Sequence, residues 1–236
     1  MVSFEFSPPE HSAFADTLNT FATRELLPQY RDRSASTEFP FEAFKQLGDL
    51  GVLGIGLPDE YGGTGEEDPV LLGLATEVLA AGDVNIASAP VQIGLVGSQF
   101  LHCDRAVQER YLPPLIRGEE TVAIALTEPG SGGSDASALR TTARKVDGGW
   151  RLSGEKTAIS WAMNATATLV YARTPGTTRS QGISCFVVPM DSEGVTVHHM
   201  LGMGCLPLVG GARSISTTSS FPRTTSWARR VADSTP

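Results

Sequence analysis

The chain has 236 residues, 41% of them hydrophobic, so it is long enough to bury a full core. It carries 18 basic and 26 acidic residues, a net charge of −8, and no basic run, which argues against nucleic acid or an anionic membrane as partner. The first residues lack the basic and apolar regions of a signal peptide, and no long apolar stretch follows, so we expect a cytoplasmic protein. The cysteines and histidines have no metal-ligand spacing, and no metal site is predicted.

The first half of the chain has the apolar spacing of helices. Phe14, Leu18 and Leu26 recur on one face, and Pro28 is expected to end that helix. Four further faces with helical spacing are centred on Phe44, Leu74, Val96 and Tyr111. The last of these helices is expected to be interrupted at Pro113 and Pro114.

Two glycine groups in this half need an interpretation. Residues 51–65 do not match the spacing of a dinucleotide fingerprint, and Pro58 stands where its helix should open, so a turn-rich crossing between helices is favoured. Gly94 and Gly97 allow close approach to the helix backbone. Tight helix packing explains them better than an acyl chain lying against the helix, although both interpretations stay open.

From Thr121 the apolar period changes from that of a helix to that of a strand. Strands are predicted at residues 121–127, 141–146, 150–152, 169–173, 183–188 and 195–197, with a hairpin turn at 147–149. The sequence therefore predicts an α+β protein, with an all-helical domain at 1–120 followed by an antiparallel β-barrel or sandwich domain at 121–208. Residues 209–236 are rich in Ser, Thr and Arg and are predicted to be irregular.

The main chemical signal lies in two phrases of the predicted β domain, Thr127-Glu-Pro-Gly-Ser-Gly-Gly-Ser-Asp135 and Lys156-Thr-Ala-Ile-Ser160. Small residues after an apolar strand offer free backbone N–H groups and hydroxyls, which suit a flat polar ring or a phosphate. Both phrases resemble the flavin-binding signature of the acyl-CoA dehydrogenase family. The Gly-Ile-Gly-Leu-Pro-Asp-Glu-Tyr-Gly-Gly-Thr-Gly wording that ends at Gly65 resembles the same family.

The resemblance implies FAD as cofactor and assigns the residues that hold it. The hydroxyl of Thr127 would bond the pyrimidine side of the flavin, with backbone or hydroxyl contacts from Leu126 and Ser134. Ile159 and Ser160 match the second phrase, in which the family places a hydroxyl near the flavin N5. Without the resemblance, Thr127 and Ser134 would be read as residues that cap a turn.

The chain departs from the family wording at two points. The loop 130–133 has one residue more than usual, and Ala158 stands where the family has an aromatic residue. Either Trp161 packs on the flavin from a shifted backbone, or the site is wider than usual; strand alternation would put Ala158 and Ser160 on one face and favours the wider site. Glu128 and Asp135 are interpreted as holding the loop rather than as an acid and base pair.

The resemblance also implies a reaction, the FAD-dependent α,β-dehydrogenation of an acyl thioester. The acyl group would be carried by coenzyme A or by an acyl-carrier protein, and an electron-transfer flavoprotein is the expected acceptor. No catalytic residue is assigned, because the family places its glutamate base in a C-terminal domain. Two alternatives stay open: a non-catalytic remnant, and a flavin oxidase or monooxygenase on the same scaffold.

The tail has a possible explanation in the genetic code. If codons such as TCG ATC TCG ACG ACG TCT TCG TTC encode the chain from Ser214, dropping two bases gives Asp-Leu-Asp-Asp-Val-Phe-Val, which resembles the family's continuation. We therefore expect that the reading frame breaks between Leu208 and Ser214, so that this form is truncated and impaired. A homo-oligomer is expected only for the full-length form.

Overall fold

The structure, a computed structural model, describes residues 9–130, 135, 138–147, 149–175, 182–199, 212–216, 220–222 and 229–230. The chain divides into two compact units. The helical unit runs to Glu120, except that His102–Asp104 belongs to the second unit. The sheet unit comprises that short segment and the chain from Thr121 onward.

The helical unit contains six α-helices in its described part. They are α1 Pro9–Phe21, α2 Leu27–Ala35, α3 Phe41–Asp49, α4 Pro69–Ala80, α5 Ala89–Phe100 and α6 Arg105–Ile116. The segment between α3 and α4 is turn-rich, as predicted, with short 3₁₀ turns at Val52–Gly54 and Asp59–Tyr61. Its left-handed turn positions are glycines, including Gly51 at φ 76° and Gly62 at φ 98°.

The first predicted helix differs from the structure at its end. The apolar face is confirmed, because Leu18, Ala22 and Leu26 are each at most 1% exposed. Pro28 does not end the helix, however; a π-helical turn at Ala22–Leu26 joins α1 to α2, which continues to Ala35. Proline is tolerated here because it lies in the first turn of α2, where its missing N–H is needed least.

The predicted interruption of α6 is wrong for a similar reason. Pro113 and Pro114 lie in its last turn, and α6 continues through them to Ile116. Their carbonyls accept hydrogen bonds from the N–H groups of Arg117 at 3.1 Å and Glu119 at 2.9 Å. The burial of the apolar side chains of that turn outweighs the lost helical hydrogen bonds.

The two glycines of α5 have different surroundings. A Cβ at Gly97 would lie 2.5 Å from a methyl group of Leu57, so Gly97 permits close packing within the helical unit. A Cβ at Gly94 would have no neighbour within 4 Å. Leu95 beside it is 54% exposed. Tight packing therefore explains Gly97 and does not explain Gly94.

A buried ion pair ties the π-helical turn to the segment after α4. Arg33 Nε donates to Asp83 Oδ2 at 2.8 Å, and the guanidinium also donates to the carbonyl of Leu26. The second oxygen of Asp83 accepts from the backbone N–H of Asn85 at 3.0 Å and from Ile86. The side chains of Arg33 and Asp83 are 16% and 2% exposed, so little water screens the pair.

The sheet unit has nine described strands. They are β1 Val122–Ala125, β2 Thr142–Val146, β3 Gly149–Ser153, β4 Ala167–Arg173, β5 Ile183–Pro189, β6 Thr196–His199, β7 Ala212–Ser216, β8 Ser220–Pro222 and β9 Arg229–Arg230. The main sheet has the order β8-β3-β2-β4-β5-β9, and β1 also pairs with β4. β6 and β7 form a separate pair. All six strands predicted before residue 200 are present.

The α+β class is confirmed, but the sheet differs from an antiparallel barrel. β4 is antiparallel to β5, yet it lies parallel to β1, with Val122 opposite Ala167, and meets β2 in parallel at Thr142. Over the described residues the sheet does not close into a barrel. The long connection between β1 and β4 leaves room for the crossover that a parallel pairing requires.

The predicted irregular tail contains short strands in its described part. The backbone of β7 pairs with β6, β8 pairs with β3, and β9 pairs with β5. These pairings differ from the expectation for residues 209–236. Strand edges recruit a chain through backbone groups, so pairing needs no hydrophobic period in the added segment.

The core of the sheet unit is built largely from small side chains. Buried alanines at 123, 125, 143 and 172 pack with Val170, and Trp150 meets Phe186 edge-on at 5.6 Å between ring centres. In the part of the chain that the structure describes, no helix is long and apolar enough to cross a bilayer.

Candidate functional site

The two predicted flavin-binding phrases lie side by side. The first follows β1, and the second follows β3. The N–H of Thr157 donates to the carbonyl of Thr127 at 2.9 Å, and Lys156 Nζ donates to the carbonyl of Leu126 at 2.9 Å. Two hydrogen bonds from consecutive residues thus fix the second phrase against the first.

Glu128 and Lys156 form a buried ion pair between these phrases. Lys156 Nζ lies 2.9 Å from Glu128 Oε1, and the two side chains are 1% and 4% exposed. The carboxylate also accepts from the backbone N–H groups of Arg140 at 2.6 Å and Thr141 at 2.9 Å. Glu128 therefore joins three segments: the end of β1, the start of β2 and the segment after β3.

These contacts keep the carboxylate ionised. Burial alone would raise the pKa of Glu128, but hydrogen bonds from Thr141, Lys156 and the backbone of Arg140 outweigh burial and lower that pKa to about 2. Burial lowers the pKa of Lys156, and the adjacent carboxylate opposes that change. A carboxylate held this firmly is poorly suited to accept a proton as a general base near neutral pH.

The predicted site residues are accessible to different degrees. Leu126, Thr127 and Ser160 are half-buried, whereas Ile159 is 1% exposed and its side chain belongs to the core of the sheet unit. Ser134 lies outside the described residues, as does most of the loop with the extra residue. Within the described part of the chain, the hydroxyls of Thr127 and Ser160 have no hydrogen-bond partner. Both are therefore available to a ligand.

The segment after Lys156 is a turn rather than a strand. Ala158 and Trp161 both have left-handed backbones, with φ of 55° and 65°. The assumption that side chains alternate between two faces here is therefore wrong. Ala158 is exposed, and Trp161 is 2% exposed, so the indole lies in the core. A left-handed conformation costs a residue with a side chain about 1–2 kcal/mol, so the surrounding contacts must hold this turn.

Sequence reasoning missed the role of Lys156. The lysine was recognised only as part of the phrase, although its charge is the partner of Glu128. The sequence carries a signal for one partner only: Glu128 closely follows the apolar run of β1, and a buried charge requires a partner, whereas Lys156 stands between an exposed and a half-buried residue. The ion pair joins the segment after β1 to the segment after β3, and the sequence does not reveal the strand order that brings these segments together.

Both units match one family of known proteins. Residues 8–119 match the acyl-CoA dehydrogenase, N-terminal domain, and residues 123–209 match the acyl-CoA dehydrogenase, middle domain. The chain belongs to the acyl-CoA dehydrogenase family. The resemblance that the flavin-binding phrases carry is thereby confirmed.

Individual relatives support the assignment and show its extent. The chain is 36% identical over 192 residues to a 3-(aryl)acrylate reductase from Clostridium sporogenes, a match that covers 81% of this chain and 51% of that protein. It is 33% identical over 203 residues to a benzylmalonyl-CoA dehydrogenase from Aromatoleum aromaticum, covering 84% of this chain and 52% of the other. The chain thus spans about half the length of these acyl-CoA dehydrogenase relatives.

Solved structures of the family have the same fold. The crystal structure of glutaryl-CoA dehydrogenase from Mycobacterium smegmatis matches with a TM-score of 0.82 at 29% sequence identity. The match covers 93% of this chain and 56% of the other. The acyl-CoA dehydrogenase fold therefore extends over nearly all of the chain.

Proposed function

We propose that this chain takes part in the FAD-dependent α,β-dehydrogenation of an acyl thioester. The observation that carries the proposal is the juxtaposition of Thr127 and Ser160. Each has a half-buried hydroxyl without a partner among the described residues, and their segments are joined by the bonds of Lys156 and Thr157. Polar groups held in advance are what a protein contributes to a cofactor that carries the chemistry.

The residues present fit a flavin. The hydroxyls of Thr127 and Ser160 can each donate one hydrogen bond, and the small exposed side chain of Ala158 leaves the adjacent backbone accessible. Leu126 would contribute its backbone N–H, since its carbonyl already accepts from Lys156. The glutaryl-CoA dehydrogenase of Mycobacterium smegmatis solved in complex with FADH2 supports this assignment, with a TM-score of 0.79 at 29% identity.

The roles of the chain's own residues follow from their positions. When bound, the flavin supplies an acceptor for the hydride that leaves the β carbon of the acyl group. Donors at Thr127 and Ser160 would orient the ring and stabilise negative charge on it. Ile159, whose side chain belongs to the core of the sheet unit, would help to exclude water beside Ser160. No catalytic base is assigned within this chain, and Glu128 is excluded from that role by its ion pair.

The substrate class is proposed to be a bulky acyl thioester of coenzyme A or of a carrier protein. Ala158 leaves more space beside the second phrase than the aromatic residue that the family usually has there. The names of two relatives, a 3-(aryl)acrylate reductase and a benzylmalonyl-CoA dehydrogenase, support an aryl group. The first of them also favours a second candidate, in which the reaction runs toward reduction of an acrylate.

The partners and location complete the proposal. An electron-transfer flavoprotein is the proposed acceptor, and a cytoplasmic location is proposed for the protein. A homo-oligomer is proposed only for the full-length form. A chain in the solved structure described as the electron transferring flavoprotein of Acidaminococcus fermentans matches with a TM-score of 0.80 at 25% identity, which supports the proposed acceptor.

The test begins with reconstitution. Purified protein is mixed with FAD, freed of excess, and its visible spectrum recorded; 3-phenylpropionyl-CoA or butyryl-CoA is then added without oxygen. Because no catalytic base is assigned in this chain, FAD binding and a change of the flavin band on adding the aryl thioester are expected. Loss of the oxidised band, faster with the aryl thioester, is expected only from a form that also carries the base. A Thr127→Val and Ser160→Ala double variant should bind FAD more weakly, whereas exposed Arg105→Met should not.

Other outcomes separate the alternatives. Failure to bind FAD would contradict the proposed function altogether. A bound flavin that no acyl thioester reduces, but that NADH or NADPH does, would favour a monooxygenase. Reoxidation of the reduced flavin by cinnamoyl-CoA, without reduction by 3-phenylpropionyl-CoA, would favour the reductase direction.

A further inference from the structure

We propose, resting on the proposed function, that Glu128 and Lys156 are positioning residues: their ion pair sets the separation of the Thr127 and Ser160 hydroxyls and so determines how the flavin is held. Neither charged group needs to touch the flavin in this role. Each lies next to a segment that carries one of the two hydroxyls. The pair therefore acts through the backbone on either side of it.

The contacts of Glu128 make it the junction of the site. One oxygen accepts from Lys156 and Thr141, both at 2.9 Å, and the other accepts from the N–H of Arg140 at 2.6 Å. Thr127 directly precedes Glu128, so its position follows from that of the carboxylate. Because the acceptor sites are filled from two other segments, Glu128 cannot shift without breaking several bonds at once.

Lys156 does the same for the second phrase. Its ammonium is bonded to the carbonyl of Leu126 and to Glu128, and the next residue bonds the carbonyl of Thr127. The second phrase is thus attached to three consecutive residues, Leu126 and the first two residues of the first phrase. A lysine side chain has free rotation about several bonds, and both of its recorded contacts are needed to fix it.

The turn that carries Ser160 needs such an anchor. Left-handed Ala158 and Trp161 stand on either side of Ile159 and Ser160. Lys156 secures the turn before Ala158, and the buried indole secures it at Trp161. Unfavourable backbone conformations persist when the surroundings hold them, and they concentrate at functional sites. Release of Lys156 would free one end of the turn.

Energetics favour positioning over stability as the reason for the pair. Removing two charges from water is costly, and a protein in which apolar residues replace a buried ion pair is often as stable as the original. The side chains of Lys156 and Glu128 are 1% and 4% exposed, so both charged groups are almost completely removed from water. Apolar side chains could supply similar stability, whereas this pair lies directly between two ligand-binding segments, so the geometry that it imposes explains it best.

The test compares two buried ion pairs in the same protein. Lys156→Met removes the cation beside the site, and Arg33→Met removes the cation of the buried pair in the helical unit. Both variants should lower the melting temperature. Only Lys156→Met should raise the FAD dissociation constant, by about tenfold or more, the size of effect that losing a supporting residue has at metal sites. The visible spectrum of the bound flavin should also change.

A milder variant covers the possibility that Lys156→Met does not fold. Glu128→Gln keeps an oxygen for the N–H of Thr141 but removes the negative charge. It should fold and bind FAD with an affinity between those of the wild type and Lys156→Met. The exchange Glu128→Lys with Lys156→Glu restores opposite charges but should not restore affinity, because the N–H groups of Arg140 and Thr141 then face a cation.

Hydrogen–deuterium exchange decides the proposal without FAD. In the apoprotein, Lys156→Met and Glu128→Gln should speed exchange in the peptides around 126–128 and 156–161 together, while Arg33→Met should not. Unchanged FAD affinity and unchanged exchange in both variants would overturn the proposal, as would full rescue by the charge exchange. If the wild type binds no FAD, the proposed function fails, and the exchange data alone decide whether the pair positions the two segments.

Discussion

Replacing Arg33 by methionine would leave the carboxylate of Asp83 buried without its counter-charge. Asp83 is 2% exposed, so water cannot reach it without local opening. Breaking one partner of a buried pair typically costs about 3–5 kcal/mol. The upper part of that range applies here, because the guanidinium also donates to the carbonyl of Leu26 in the π-helical turn. We expect the free energy of unfolding of Arg33→Met to fall by about 4–5 kcal/mol.

Urea denaturation followed by far-ultraviolet circular dichroism measures this loss. The control is Arg105→Met, since Arg105 is bonded to Glu109 on the same helix but is 70% exposed. An exposed pair contributes about 0.5 kcal/mol or less. The slope of the transition should be the same in both variants. If Arg33→Met destabilises the protein no more than Arg105→Met does, the assignment of a buried, desolvated pair is incorrect.

Three further predictions concern other parts of the chain. The pKa of Glu128 falls from 4.5 to about 2 on folding, so the ionised carboxylate contributes about 3 kcal/mol to the free energy of unfolding above pH 4.5. That contribution is lost as the pH falls toward 2. Glu128→Gln should therefore flatten the plot of unfolding free energy against pH in this range, and an unchanged plot would contradict the assignment. Gly118 has φ 68°, and a Cβ there would lie 2.2 Å from a backbone oxygen, so Gly118→Ala should cost about 3 kcal/mol or more by thermal denaturation. Gly51→Ala, with φ 76° and open space, should cost about 1 kcal/mol, and equal losses would refute the steric reasoning. Sequencing the coding DNA from the Cys205 codon onward tests the reading frame: the alternative frame should read Asp-Leu-Asp-Asp-Val-Phe-Val-Pro, and a codon within 217–227 that interrupts it would contradict the hypothesis.

Local patterns in the sequence predict the helices and strands well, because each has a characteristic spacing of apolar residues along the chain. The face of Leu18, Ala22 and Leu26 and the hairpin between β2 and β3 both follow from such spacing. The two errors at Pro28 and Pro113 share one cause. Proline is unfavourable in a helix taken alone, but its position in a first or last turn, and the burial of its neighbours, reverse the outcome.

The candidate site shows a different limit. Its residue types could be read from the two phrases, but their mutual arrangement depends on contacts between distant parts of the chain. The parallel pairing of β1 with β4 and the left-handed turn from Ala158 to Trp161 leave no short-range signal. Alternation along a strand is a sound rule only where a strand exists, and the backbone after Ser153 has already left the sheet.

Among the described residues, two buried carboxylates share a pattern of hydrogen bonds that explains why charge is retained in both cores. Asp83 accepts from the backbone N–H groups of Asn85 and Ile86, and Glu128 accepts from those of Arg140 and Thr141. In each case the donors stand at or just before the start of an element: Ile86 opens a 3₁₀ turn, and Thr141 directly precedes β2. An apolar side chain could replace the volume of either carboxylate but would leave these donors unsatisfied in the interior. The buried N–H groups require the carboxylate as acceptor, and the buried carboxylate in turn requires a cation. The ion pair therefore follows from the need to satisfy the backbone where a buried strand or helix gives way to a turn.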